Sequence, residues 1–245
     1  MHYDRFKMDM YSNNGEDGVL WRIMYELQIQ PSESWCVDVG AYDGIAYSNT
    51  YRLVQQNSNA VLIEPSLVGG LCEKKYEALK TMPDFHPKVL PLRYAVVPSN
   101  YSEEQKEEIV NIITEGDEHC GVVSSTLLEA KDLDTILSET DIPEDYDILN
   151  IDTDTIDHDI WKDHKKYRPK IVVMEINSSI EPDLMSHTSE GVSFSQSMKV
   201  AEEMGYSAVS HTGNVIYVRN DLLDKLSINE NHINKIDILF NRRWL

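Results

Sequence analysis

Cysteine, basic side chains and long apolar runs are all scarce in this chain. Its three cysteines, Cys36, Cys72 and Cys120, are odd in number and widely spaced. No C-x-x-C pair occurs, so neither a disulfide framework nor a zinc site is indicated, and a reduced, cytoplasmic protein is expected. Cys36 falls inside a predicted strand and reads as a small core residue. Lys and Arg number 22 against 42 Asp and Glu, a formal net charge of -20. Such a surface repels duplex nucleic acid, no basic cluster offsets it, and its simplest consequence is solubility. No apolar run approaches membrane-spanning length. The start, with His2, Asp4, Arg5 and Lys7, does not read as a signal peptide. Internal repeats and Pro/Ser-rich linkers are also missing, so residues 1–245 are expected to form one domain of ordinary hydrophobic content.

What is present centres on Trp35-Cys36-Val37-Asp38-Val39-Gly40-Ala41-Tyr42-Asp43-Gly44. An apolar run containing one acid is followed by two glycines four positions apart, and Asn49-Thr50 opens a stretch of helical spacing. This reads as buried strand, tight turn and helix, the usual seat of a nucleotide-type cofactor. The spacing G-x-x-x-G is not the dinucleotide pattern G-x-G-x-x-G. Asp38 beside the turn suits a cationic ligand better than a pyrophosphate, and S-adenosylmethionine carries an ammonium and a sulfonium. Glu64 closes the next apolar run, Ala60–Ile63, where a carboxylate can accept from both ribose hydroxyls. Gly40 and Gly44 are expected to let the backbone approach the ligand. The competing reading is a glycine turn that any α/β protein could carry.

Along the chain, a polar turn at Tyr11–Asp17 precedes a helix with Val19, Leu20, Ile23, Met24 and Leu27 on one face, capped by Ser12 or Asn13. Helices are expected at about 48–56, 67–80, 103–113, 133–137, 157–166 and 193–204, the last stopped by Gly205. Strands are expected at 35–39, 60–64, 89–97, 147–152 and 170–176, with Pro91 counting against the first half of the third. Glu115–His119 reads as a polar loop. Tyr206–Ser210 and Val215–Arg219 flank Thr212-Gly213-Asn214 and should form a hairpin. The tail carries a helical stretch and the apolar group Ile238, Leu239 and Phe240. The fold class is therefore α/β, a mostly parallel sheet with one antiparallel strand near the C-terminus and helices on both faces. The N-terminal helix (about 15–29) and an insertion (about 98–131) are expected to flank the core, the insertion shaping a substrate pocket.

A second group of acids stands at the ends of the fourth and fifth expected strands. Asp152, Asp154, Asp157 and His158 follow one, and Glu175 and Asn177 follow the other. Asp152, Asp154, Glu175 and Asn177 offer hard oxygen ligands suited to Mg²⁺ or Mn²⁺. The alternative is that these acids cap the next helix and hold no metal. His158 is a candidate general base for a substrate hydroxyl, with Asp157 its competitor. Most other histidines, including His86, His119, His187 and His232, are expected at the surface.

Taken together, Tyr11–Gly18, Val37–Gly40 through Ser48-Asn49-Thr50, Leu62-Ile63-Glu64, Ile151–Asp154 with Asp157 and Trp161, and Tyr167–Lys170 leading to Met174–Asn177 resemble FkbM-type methyltransferases. These are a branch of the class I, Rossmann-like S-adenosylmethionine-dependent fold. The resemblance implies O-methylation of a sugar hydroxyl, on a nucleotide-activated sugar or polysaccharide precursor. It also implies a divalent cation at the two strand ends and cofactor contacts from Asn13, Glu16, Asp38, Gly40, Asp43, Ser48, Asn49 and Glu64. The chain departs from those relatives at Asp154-Thr155-Ile156-Asp157-His158, where they often read Asp-Gly-Asn-Asp-Tyr. The rivals are a metal-dependent glycosyltransferase using Asp152-Thr153-Asp154 as a D-x-D motif, and a cofactor binder without catalysis. Acceptor identity and oligomeric state are open.

Overall fold

The computed structural model describes residues 3–67, 87–119, 127–154, 156–177, 179–185 and 191–227. Several expectations therefore lie outside the described residues: most of the 67–80 helix, Cys72, Cys120, His86, His187, His232, and the apolar tail group at Ile238, Leu239 and Phe240.

The strands are β1 (Trp35–Val39), β2 (Asn59–Ile63), β3 (Val89–Leu92), β4 (Ala95–Val96), β5 (Ala130–Lys131), β6 (Ile148–Ile151), β7 (Ile171–Met174), β8 (Tyr206–His211) and β9 (Val215–Arg219). The helices are α1 (Glu16–Leu27), α2 (Tyr51–Val54), α3 (Glu103–His119), α4 (Leu133–Ser138), α5 (Asp157–Asp163) and α6 (Phe194–Met204). Seven strands form one sheet in the order β3-β2-β1-β6-β7-β9-β8. All pairings are parallel except those of β9, which runs antiparallel to both β7 and β8. This is the α/β architecture that the sequence pattern implies.

Burial explains the composition of the strands. Residues 36–39 of β1 and all of β6 and β7 are buried, as expected for parallel strands covered on both faces. The two-residue alternation divides the core in two. Val37, Val61, Leu149 and Val172 pack with Ile136 and Leu137 of α4, Trp161 of α5 and Val200 of α6. Cys36, Ala60, Ile148 and Ile171 pack with Val19, Leu20, Ile23 and Met24 of α1 and Leu53 of α2. No helix among the described residues is long and apolar enough to cross a membrane.

Three boundaries differ from expectation. The 48–56 helix shrinks to α2 because the Ser48 hydroxyl accepts from the amides of Thr50 at 3.1 Å and Tyr51 at 3.0 Å, making a turn of its first residues. The 89–97 strand divides: β3 keeps Pro91 by lying at the sheet edge, while β4 pairs with β5 separately. The Glu115–His119 loop is instead the last turn of α3, fastened through Asp117, whose carboxylate accepts from the Leu67 amide at 2.8 Å.

Candidate functional site

A cavity of about 600 Å³ opens at the carboxyl ends of β1, β2, β6 and β7. In an open parallel sheet that is where ligands bind. The turn after β1 builds its floor. The amides of Gly40 and Ala41 donate to the Ile63 carbonyl at 2.9 and 3.1 Å, and the Asp152 amide donates to the Val39 carbonyl at 2.9 Å. Gly40 has φ +82°, and a Cβ there would overlap the Asp152 carbonyl oxygen. The glycine is thus required by the close approach of the chain just after β6, and it also lines the cavity. Gly44, at φ +73°, is the left-handed turn residue whose amide donates to Ala41 at 2.7 Å.

Asp38 lies in register with Asn150 of β6. Its carboxylate accepts from Thr50 Oγ1 at 2.6 Å, Asn150 Nδ2 at 2.8 Å and Ser48 Oγ at 3.4 Å. Asn49 Nδ2 in turn donates to Asn150 Oδ1 at 2.9 Å. Asp38 and Ser48 line the cavity, whereas Asn49 supports them from behind. Burial pushes the Asp38 carboxyl up, and the three donors oppose that. Glu64 also lines the cavity, its Oε2 accepting from the Tyr42 amide at 2.7 Å and its Oε1 from the Ser66 amide at 2.9 Å. The two backbone donors fix the direction of the carboxylate. Burial raises its pKa as well.

The other cofactor candidates divide. Asn13 reaches the cavity edge. Glu16 does not line it: it is buried, accepting from the Asn14 amide at 2.9 Å and Thr212 Oγ1 at 2.7 Å, and so ties the N-terminal loop to the β8–β9 turn. Asp43 is likewise outside the lining, its Oδ1 accepting from the amides of Ile45 and Ala46 at 2.9 and 2.7 Å to shape the turn.

Of the expected metal ligands, Asp152, Asp154 and Glu175 come together, each with an oxygen within 4.8 Å of the others. Asp154 sits at φ +62°, which takes it out of strand geometry. The Asp152 pKa is pushed up to about 8, first by burial and then by the charges of Glu175, Asp157 and Asp154. A cation would relieve that repulsion, so the donor set fits a hard divalent ion. Asn177 does not line the cavity, and its Oδ1 accepts from the Ser179 amide at 3.0 Å and hydroxyl at 2.6 Å.

The expected bases stand elsewhere. Asp157 Oδ1 accepts from the amide and hydroxyl of Thr153, both at 2.6 Å, and so braces the loop after β6. His158 is 1 % exposed, its Nε2 lying 2.7 Å from Ser197 Oγ, which lies 2.6 Å from Tyr217 OH. Burial alone lowers its pKa to about 3. It packs under α6, away from the cavity, and a base role for it does not fit this position.

Asn150, Tyr42, Tyr47, Val96 and one face of α3 also line the cavity, though the sequence reading did not single them out. Tyr42 and Tyr47, both with positive φ, were legible only as aromatic residues near the glycines. Six acids line the space: Asp38, Glu64, Asp117, Asp152, Asp154 and Glu175. Among the described residues no Lys, Arg or His does.

No family model and no curated protein sequence matches the chain. Solved structures align with it over most of its length at low identity. One is a SAM-dependent methyltransferase from Aquifex aeolicus, 12 % identical over 81 % of this chain and 88 % of that one, with TM-score 0.44. Another is the magnesium protoporphyrin IX methyltransferase of Synechocystis PCC 6803 with bound SAM, 10 % identical over 83 % and 77 %, with TM-score 0.45. A third is a SAM-dependent methyltransferase from Geobacter sulfurreducens in complex with S-adenosyl-L-homocysteine, 11 % identical over 78 % and 64 %, with TM-score 0.40.

Proposed function

We propose that this chain is an S-adenosylmethionine-dependent O-methyltransferase that acts on a sugar hydroxyl, of the kind its FkbM-like motifs suggest. The observation that carries the reading is the charge of the cavity: six carboxylates and, among the described residues, no cationic side chain suit a cofactor bearing a sulfonium and an ammonium. A nucleoside diphosphate, as a glycosyltransferase requires, would bring its phosphates against the same carboxylates.

In this reading Glu64 accepts from the ribose hydroxyls, and Ser48 and the Asp38 charge face the amino-acid end. Asp152, Asp154 and Glu175 would hold a divalent cation, and with it the acceptor hydroxyl. When bound, the cation lowers the acceptor hydroxyl's pKa, and the cofactor supplies the methyl. A carboxylate oxygen of the Asp152–Asp154–Glu175 cluster left free by the cation would receive the proton, in place of His158. Transfer is a direct displacement, so positioning supplies much of the rate.

The test is calorimetry with S-adenosylhomocysteine, followed by methyl transfer to a panel of sugars and activated sugars with and without EDTA. Binding of S-adenosylhomocysteine and Mg²⁺- or Mn²⁺-restored transfer to a sugar are expected. Absence of S-adenosylhomocysteine binding sinks the cofactor assignment; full transfer by metal-free enzyme sinks the metal.

A further inference from the structure

The outer face of α1 carries large aromatic side chains where a solvated helix face is usually charged. Trp21 is 39 % exposed and Tyr25 is 70 % exposed. They stand one turn apart, and each has a guanidinium over its ring. Arg52 lies 5.9 Å from the Trp21 centroid, and Arg22 lies 5.4 Å from that of Tyr25. Between these rings and the last described residues, 225–227, runs a groove of about 610 Å³. Trp21, Met24, Tyr25, Ile29, Pro31 and Leu226 are among the residues that line it. It shares no lining residue with the acidic cavity.

The chain leaves this groove at a fixed point. Glu26 accepts from the Ser227 amide at 2.8 Å and the Ser227 hydroxyl at 2.7 Å. The same carboxylate accepts from Arg22 Nε at 2.7 Å and from Tyr3 OH. One buried acid therefore ties α1, the N-terminal segment and Ser227 together at the edge of the groove, and residue 228 starts there.

The eighteen residues 228–245 have the chemistry to fill the groove. Ile233, Ile236, Phe240 and Trp244 recur at i, i+3, i+7 and i+11, the spacing of one helical face. An apolar stripe so spaced is what a hydrophobic groove takes from a partner segment. Lys235, Arg242 and Arg243 outnumber Glu230 and Asp237, so the segment is net basic on a chain of formal charge -20. The remainder of the molecule attracts it. Residues 228–233 reach at most about 20 Å when extended, so the stripe begins within range of Tyr25. The tether also holds it at an effective concentration on the order of millimolar, which a second copy would have to exceed.

We propose that residues 228–245 dock in cis on α1, with the Ile233–Trp244 stripe seated in the groove against Trp21 and Tyr25, and with Glu26 holding the root of the segment. The inference is independent of the methyl-donor reading above.

The test is hydroxyl-radical footprinting of Trp21 and Tyr25, read by mass spectrometry, with molar mass followed by light scattering over a wide range of protein concentration. The full chain is compared with the chain cut after Ser227 and with the double variant Ile236→Asp/Phe240→Asp. Both rings are expected to be protected in the full chain relative to the cut chain, at a monomer's mass and at every concentration. The double variant should shift docking toward the open form by roughly tenfold or more, since each aspartate would bury a charge without a partner. Synthetic peptide 228–245 added to the cut chain should restore the protection. Equal oxidation of Trp21 and Tyr25 in all three chains overturns the proposal. Protection that is lost on dilution together with a dimer's mass also overturns it, and gives the groove to a second copy. Should the cut chain fail to fold, the double variant carries the test, with Tm as the check on its folding.

Discussion

Asp38 and Glu64 are both buried acids at the cavity, yet removing each should do different things. Asp38 is the acceptor for Thr50 and Asn150. Asp38→Ala takes the shared acceptor from Thr50, Asn150 and Ser48 and leaves Asn150 Nδ2 buried without it, so it should cost about 1–3 kcal/mol of folding stability, read by urea denaturation, as well as affinity. Glu64→Gln keeps an acceptor oxygen and the shape. It should weaken S-adenosylhomocysteine by about 1–3 kcal/mol while the urea midpoint barely moves. His158 makes a pH prediction. Its folded pKa of about 3 lies below the ordinary 6.5. Between those values the unfolded chain binds a proton that the folded chain refuses, so stability falls as pH drops through this window. The slope from this one group approaches about 1.4 kcal/mol per pH unit. His158→Gln should flatten the curve between pH 6.5 and 4.5; identical slopes would mean that His158 is not buried as the neutral form. The position of Asp38 and Glu64 was legible because strand ends face the crevice. The misplacement of His158 has an equally simple cause: neighbours on a helix point about 100° apart, so closeness to Asp157 in sequence says nothing about which face His158 takes.

At the scale of elements, strands were easier to read than the segments between them. β1, β6 and β7 are short apolar runs buried on both faces, and the Gly205 stop of α6 is confirmed by φ +81°. The apolar face of α3 at Ile109, Ile112 and Ile113 was present in the sequence, but the polar run Glu115–His119 masked its last turn, because a tertiary hydrogen bond from Leu67 to Asp117 is invisible to periodicity. The N-terminal loop shows the same dependence. Asp17, near the start of α1, accepts through one oxygen from the amides of Met10, Tyr11 and Ser12 at 2.8, 2.7 and 3.0 Å. Asp17→Ala should cost about 1.5–3 kcal/mol, the scale of hydrogen bonds to a charged group. It should also raise amide hydrogen exchange in residues 10–12 well before the sheet exchanges. Unchanged protection there would show that the loop is held by other contacts.

For the whole molecule, a net charge of -20 means self-repulsion that salt can screen. Tm should rise between about 0.01 and 0.15 M NaCl, as the Debye length shortens from about 30 to 8 Å. Any added stabilisation by Mg²⁺ at matched ionic strength should then vanish in Asp154→Asn, which removes one charge from the cluster and keeps its shape. If it persists in that variant, the divalent effect is general screening and not the Asp152–Asp154–Glu175 site.

The placement of β9 between β7 and β8 has a consequence for how the protein is made. On the ribosome β7 and β8 emerge first, but neither pairs with the other; both await a strand that has yet to be synthesised. Until residues 215–219 have left the exit tunnel, β7 offers an unpaired apolar edge, the kind of surface that recruits other chains. A nascent chain released at Asn214 would therefore be the hazardous product of a premature stop, and the interval between residues 174 and 219 is when this protein most needs a chaperone's cover.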